Sequence, residues 1–118
     1  MAKSYENLKI WQESLEIAIL IYSVTKKFPK DEIFGIVSQI RRAVISISSN
    51  IAEGSGRTTR KEFSRFIDIA IGSLNETENL LIISLKLSYL SQKDFDVLII
   101  KIKHLGILLG GFKKYLNK

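Results

Sequence analysis

The stretch from Gln92 to Leu116 reads QKDFDVLIIKIKHLGILLGGFKKYL. Its apolar residues recur at alternating spacings of three and four, which places them along one side of an α-helix. The stripe consists of Phe95, Leu98, Ile102, Leu105, Leu109, Phe112 and Leu116. Ser91 precedes it as a natural N-cap, because its hydroxyl can accept a hydrogen bond from a free backbone N–H. The pattern predicts a helix over about 92–116.

Three more amphipathic stretches precede this one. Their apolar residues also recur at spacings of three and four, and the predicted helices span about 5–27, 32–53 and 59–87. Short connections between helices force antiparallel neighbours. The sequence therefore predicts an all-α fold, an antiparallel up-down-up-down four-helix bundle that forms a single domain over residues 1–118.

The residues between the helices explain the breaks. Pro29 disfavours a helical conformation in the residue before it and so ends the first helix, and Asp31 can cap the second. We expect Gly54 to end the second helix in the left-handed conformation that glycine adopts at little cost. Thr59 and Glu62 have the spacing of a capping box and start the third helix.

Composition excludes several classes of protein. The chain has 118 residues, of which 46% are hydrophobic and 25% charged, and this balance supports a folded core. Cysteine is absent and His104 is the single histidine, so we predict no metal, no cofactor and no catalytic residue, and the chain is not expected to be an enzyme. The longest apolar run, Ile17 to Tyr22, is far short of the roughly 20 residues of a membrane span. We expect a cytoplasmic protein with no membrane partner.

Positive charge is concentrated in the middle and at the end of the chain. The formal net charge is +6, all five arginines lie between residues 41 and 65, and no acidic residue follows Asp96. Arginine suits phosphate because its planar fork donates two parallel hydrogen bonds. The candidate nucleic-acid contacts are Arg41, Arg42, Arg57, Arg60, Lys61, Arg65, Lys113 and Lys114.

Two of these groups have structural alternatives. Arg41 and Arg42 could contact phosphates, or they could form interhelix salt bridges with Glu32, Glu76 or Glu78. The segment 53–61 joins glycines, cations and a helix start, which can together hold a phosphate, although it lacks the spacing of a P-loop. The alternative for that segment is an ordinary capped connection between helices.

The first helix carries two apolar stripes. One runs through Leu8, Trp11, Leu15, Ala18, Tyr22 and Thr25, and the other consists of Ile10, Ile17, Ile21 and Val24. We interpret the second stripe as an interface for self-association, because a small bundle has no obvious use for it. The alternative is a mixed surface with scattered apolar residues, which is common.

Five motifs carry a family resemblance. They are FPKDEIFGI at 28–36, QIRRA at 39–43, NIAEG at 50–54, GR at 56–57 and AIGSL at 70–74. Together they resemble the four-helix-bundle family of 23S ribosomal-RNA intervening-sequence proteins, and the likeness covers nearly the whole chain. Ser48 stands where the family often has proline.

The resemblance implies an assembly and a set of partners. Members of the family are small bacterial proteins, some encoded inside insertions of large-subunit rRNA genes, and they form ring-shaped pentamers. A related branch is the accessory protein of diversity-generating retroelements, where a basic surface contacts nucleic acid and the reverse transcriptase. The resemblance places Arg41, Arg42 and Arg57 in basic positions of the family and brings no catalytic residue.

Two functional hypotheses follow. The first is a non-catalytic homo-oligomer, taken as a pentamer, that binds nucleic acid, with RNA favoured, through phosphate contacts from Arg57, Arg60, Lys61 and Arg65, helped by Lys113 and Lys114. The alternative is a scaffold or accessory subunit that docks on a protein partner, such as a reverse transcriptase.

Overall fold

The computed structural model describes residues 4–118, and this part of the chain forms four long helices and no strand. Helix α1 spans Lys9–Thr25, α2 spans Ile36–Ser55, α3 spans Arg60–Lys86 and α4 spans Gln92–Leu116. Two short 3-10 turns, Ser4–Asn7 and Lys30–Glu32, precede α1 and α2. The predicted all-α fold is confirmed.

The helices pack as a closed square, in which α1 contacts α2 and α4, and α3 contacts α2 and α4. Helix α3 has 27 residues and runs about 40 Å, nearly the full 43 Å length of the molecule. Because successive helices are antiparallel, the end of α2, the start of α3 and the end of α4 meet at one end of the bundle. The α1–α2 connection and the α3–α4 connection lie at the opposite end.

The apolar stripes predicted for α2, α3 and α4 form the core. Ile40, Ile47, Ile67, Leu81 and Leu105 are fully buried. Burying an aliphatic side chain of this size is worth about 1.5–3 kcal/mol, so these stripes supply most of the driving force for the bundle.

The predicted oligomer interface on α1 is wrong for three of its four residues. Ile10, Ile17 and Ile21 are only 4%, 1% and 0% exposed, and Val24 is half-buried against the same core. Since α1 contacts both α2 and α4, its own chain covers two of its sides, and this stripe faces the interior. Leu15, from the other stripe, is 40% exposed.

The helix starts differ from the predicted bounds. Helix α1 begins at Lys9 and not near residue 5, because residues 4–7 form a 3-10 turn. Helix α2 begins at Ile36 and not near residue 32, and the carboxylate of Glu32, not that of Asp31, accepts a hydrogen bond from the N–H of Ile36 (3.3 Å). The other two starts agree with the predicted caps: the hydroxyl of Thr59 accepts from the N–H of Glu62, and that of Ser91 from the N–H of Asp94.

Gly54 does not end α2 in a left-handed conformation. The helix continues to Ser55, and no glycine among residues 4–118 has a positive φ. A Cβ added to Gly54 would lie 2.6 Å from the Cβ of Phe66 and 2.8 Å from Cδ1 of Phe63. Glycine is therefore required here by the close approach of α2 to α3.

Candidate nucleic-acid interface

Six of the predicted cationic contacts lie at the same end of the bundle, where α2 ends, α3 begins and α4 ends. We call them the basic surface, which consists of Arg57, Arg60, Lys61, Arg65, Lys113 and Lys114. Segments more than 40 residues apart in sequence meet here: the Nη2 of Arg60 donates to the hydroxyl of Tyr115 (3.2 Å), and Lys113 pairs with Asp68 (2.6 Å). The fold therefore joins the two cationic parts of the sequence into one surface.

Two arginines of the basic surface are held in place by aromatic rings. The guanidinium carbon of Arg57 lies 4.8 Å from the ring centre of Phe66, and that of Arg60 lies 4.7 Å from the ring centre of Tyr115. Arg57 also donates one hydrogen bond to Glu53 (2.9 Å). A guanidinium has five N–H donors, and each of these two uses one in a hydrogen bond, so further donors remain for a ligand. Stacking restricts the side chains before a ligand arrives and so lowers the entropy that binding has to overcome.

Three of the other four cations of the basic surface have no partner among the described residues. The side chains of Lys61, Arg65 and Lys114 are exposed and make no hydrogen bond or ion pair with any residue from 4 to 118. Lys61 and Arg65 lie one turn apart on the outer face of α3. These three side chains are the ones most readily available to an anionic ligand.

The start of α3 adds backbone groups to the basic surface. The hydroxyl of Thr59 accepts from the N–H of Glu62 at 3.1 Å, whereas the N–H groups of Arg60 and Lys61 have no acceptor in the part of the chain that the structure describes. The positive end of the helix dipole points the same way. Glu62 lies in the first turn and opposes it, so the side chains carry most of the positive field.

Arg41 does not belong to the basic surface. Its Nε donates to the hydroxyl of Thr25 (3.0 Å), its Nη2 donates to the carbonyl of Tyr22 (3.4 Å), and its guanidinium lies over the Tyr22 ring at 4.5 Å. These contacts tie α2 to α1. Arg41 is therefore a structural residue and its placement among the nucleic-acid contacts is corrected, although its partners are not the predicted glutamates.

Arg42 is exposed but lies apart from the basic surface. It lines a groove of about 390 Å³ between α2 and α3, whose floor includes Ser46 and Ser73 and whose opposite wall includes Glu76. Neither Arg42 nor Arg41 forms an ion pair with a carboxylate among residues 4–118. Fifteen residues of helical rise separate Arg42 from Arg57, which is about 22 Å. One short phosphate segment would not contact both.

Two surface features were not found from the sequence. Phe34 is 95% exposed, and an apolar groove opens between α1 and α2 beside Leu15, Ile19 and Ile45. The only sequence signal for Phe34 is its position between the Pro29 break and Gly35, where no helical face assigns it to the core.

The described residues were also compared with the requirements of a metal site and of a membrane span. No group of three or more His, Asp or Glu residues within 4–118 is arranged to hold a metal ion. None of the helices in this part of the chain combines the length and the apolar character that crossing a bilayer requires.

Comparison with known proteins gives a family and a fold relative. The family model described as 23S rRNA-intervening sequence protein matches residues 6–111. A crystal structure of a protein of unknown function from the S23 ribosomal protein family of Bacteroides thetaiotaomicron is 26% identical, with a TM-score of 0.82. That similarity covers 89% of this chain and 98% of the other. No curated protein matches the chain.

Proposed function

The chain belongs to the 23S rRNA-intervening sequence protein family, and we propose that it is a non-catalytic homo-oligomer, taken as a pentamer, that binds structured RNA through the basic surface. The observation that carries the proposal is the meeting of cations from the α2–α3 connection, α3 and α4 at one end of the bundle. Phosphate contacts from such a surface supply most of the affinity of sequence-independent binding.

The ligand contacts are expected to be with phosphates and not with bases. One face of each aromatic ring nearest the cations, Phe66 and Tyr115, is covered by Arg57 and Arg60, which leaves less ring surface for stacking on a base. Stacking on exposed rings is the usual way to hold single-stranded bases. Without it, recognition depends on the RNA backbone and its shape.

An oligomer would make this modest surface effective. When several copies are held together, the second contact with the same RNA becomes intramolecular, so avidity exceeds the affinity of one surface. The exposed apolar groove between α1 and α2 supports self-association, because a patch of this kind is commonly covered by a partner.

The proposal is tested by removing charge without removing packing. The variant K61Q/R65Q/K114Q neutralises the three cations that contact no other described residue. Its affinity for a hairpin RNA should fall at low salt, and the slope of log K against log salt should become shallower by roughly 2 to 3. The matched control is K27Q/K86Q/K93Q, which removes the same charge from exposed residues at the opposite end of the bundle.

The control decides how the result is understood. If both variants lose affinity equally, total charge and not the basic surface determines binding. If K61Q/R65Q/K114Q keeps the affinity and salt slope of the parent protein, the basic surface is not the RNA site.

The alternative function is an accessory subunit that docks on a protein partner. Ile100 and Ile107, two turns apart on α4, are 68% and 74% exposed and form an apolar strip that the bundle does not use. A protein that binds stoichiometrically after nuclease treatment, and whose binding is lost in I100S/I107S but kept in K61Q/R65Q/K114Q, would favour this function.

A further inference from the structure

Phe34 is an exposed aromatic side chain on a rigid support. It is 95% exposed and its neighbour Ile33 is 54% exposed, just before α2 begins. The segment below it is anchored, because Glu32 accepts hydrogen bonds from the hydroxyl of Tyr89 (2.8 Å) and from the N–H of Ile36. Phe28, which is buried, packs its ring against Tyr89 at 5.7 Å. Phe34 is thus presented to solvent in a defined position, which lowers the entropy cost of burying it in a partner.

The groove between α1 and α2 has a size and a chemistry that suit such a side chain. Its volume is about 450 Å³, and it is lined by Leu15, Ala18, Ile19, Tyr22 and Ile45 with Lys26 at its rim. Leu15, Ile19 and Ile45 expose between 40% and 62% of their surface. Nothing from residues 4–118 covers this apolar floor.

Phe34 does not fill the groove of its own chain, since 95% of its surface is exposed. Ile45 in the groove lies eleven residues further along the chain, about 16 Å away at helical rise. We propose that Phe34 of one copy inserts into the α1–α2 groove of a second copy. The inference rests on the self-association in the proposed function and names the contact that produces it.

Charge complementarity favours a second copy as the occupant. Asp31 is exposed three residues before Phe34, and Lys26 is exposed at the rim of the groove. Neither side chain forms an ion pair within residues 4–118. In the proposed contact, the Asp31 of one copy pairs with the Lys26 at the groove rim of the other, so that opposite charges surround the apolar centre.

The contact has a consequence for assembly. Phe34 and the groove are different surfaces, so one contact joins two copies head to tail, and every groove is filled only when the assembly closes on itself, as a reciprocal pair or a ring. Phe34 lies at the end of the bundle opposite the basic surface, since it precedes α2 whereas Arg57 follows it. None of the six residues of the basic surface lines the groove, so the contact itself leaves the basic surface uncovered.

The first test is light scattering on F34S, with I100S as the matched control. Ile100 is 68% exposed on α4 and lies outside the groove. Association of F34S across micromolar concentrations should be roughly 10- to 100-fold weaker per contact, while I100S associates like the parent protein. Circular dichroism verifies that both variants keep their helices.

The second test uses the absence of cysteine from the sequence. Single variants I33C and I19C, mixed and oxidised, should form an intermolecular disulfide, because Ile33 lies beside Phe34 and Ile19 lines the groove. A disulfide requires Cα atoms within about 7 Å, so it reports the contact itself. The control mixture is I33C with I107C, whose position on α4 is 74% exposed and distant from the α1–α2 groove.

The outcomes separate the contact from the self-association on which it rests. If the parent protein is oligomeric but F34S associates equally well and I33C does not cross-link preferentially to I19C, the inserted Phe34 is overturned and self-association stands. If the parent protein is a monomer at every concentration, both are overturned, while RNA binding is still judged by its own salt slope.

Discussion

Replacing Gly54 by alanine should destabilise the bundle, although alanine is the better helix former. Gly54 lies inside α2 and is buried, and an added Cβ would come within 2.6 Å of the Cβ of Phe66. Real Cβ atoms do not approach so closely, and the Phe66 Cβ cannot rotate away because it is fixed to the backbone of α3. The substitution G54A must therefore push α2 and α3 apart.

The size of the effect follows from comparing two glycines. Alanine in a helix interior gains about 1 kcal/mol over glycine, whereas overpacking a tight contact costs about 1–3 kcal/mol. Gly110 lies within α4, and an added Cβ there meets nothing within 4 Å. G110A should therefore raise the free energy of unfolding by about 0.5–1 kcal/mol. Both variants share the gain in helix propensity, so the free energy of unfolding of G54A should be about 1–3 kcal/mol lower than that of G110A.

Urea unfolding, followed by circular dichroism at one fixed protein concentration, measures both variants. The concentration must be fixed because association adds to the apparent stability of an oligomer. If G54A is as stable as G110A, the α2–α3 approach at Gly54 is not tight and the explanation given for this glycine is wrong.

Three further predictions concern contacts outside the basic surface. R41M should lower the free energy of unfolding by about 1–2 kcal/mol in urea titrations, because it loses the hydrogen bonds to α1. The dependence of its RNA affinity on salt should stay unchanged. A changed salt dependence together with unchanged stability would contradict the structural role of Arg41. T59A should lower the free energy of unfolding by about 0.5–2 kcal/mol in the same assay, because the cap of α3 is lost, and T59S should restore most of that stability. A T59A variant as stable as the parent protein would mean that this cap does not stabilise α3. A hydrogen bond and charge attraction from Lys101 lower the pKa of Glu16 from 4.5, so the stabilisation from Glu16 is present above that pH and is lost as the pH falls through the lowered pKa. The stability difference between the parent protein and E16Q should accordingly shrink with acidification; a difference that does not vary with pH would exclude the ion pair as its source.

The sequence was sufficient to identify the buried face of three helices and ambiguous for the buried face of the fourth. In α2, α3 and α4 a single apolar stripe identifies the buried face, and residues such as Ile47 and Leu105 are buried as expected. Helix α1 has two stripes, and periodicity alone does not tell which of them faces the core. Ile21 proved to be fully buried and Leu15 exposed, the reverse of the predicted arrangement.

The same limit applies to the candidate site. The position of Arg57, Arg60 and Lys61 beside a helix start could be predicted, because the connection is local in sequence. The stacking of Arg60 on Tyr115 joins residues 55 positions apart and depends on how α3 and α4 are rotated. The direction of Arg41 toward α1 depends on helix rotation in the same way.

Gly54 illustrates a third kind of limit. A glycine before a predicted break fits a left-handed helix end as well as it fits a close contact between helices. Only the distance to Phe66 distinguishes the two, and that distance is a property of packing.

Light scattering coupled to size-exclusion chromatography can show whether the protein is an oligomer that binds RNA through one end of each bundle. The protein is measured with and without nuclease treatment, and the ratio of absorbance at nucleic-acid and protein wavelengths is recorded across the peak. We predict a pentameric mass for the treated protein and an added nucleic-acid absorbance, removed by ribonuclease, for the untreated one. A monomer, or an oligomer that carries no ribonuclease-sensitive material and binds no hairpin RNA when it is added, would contradict it.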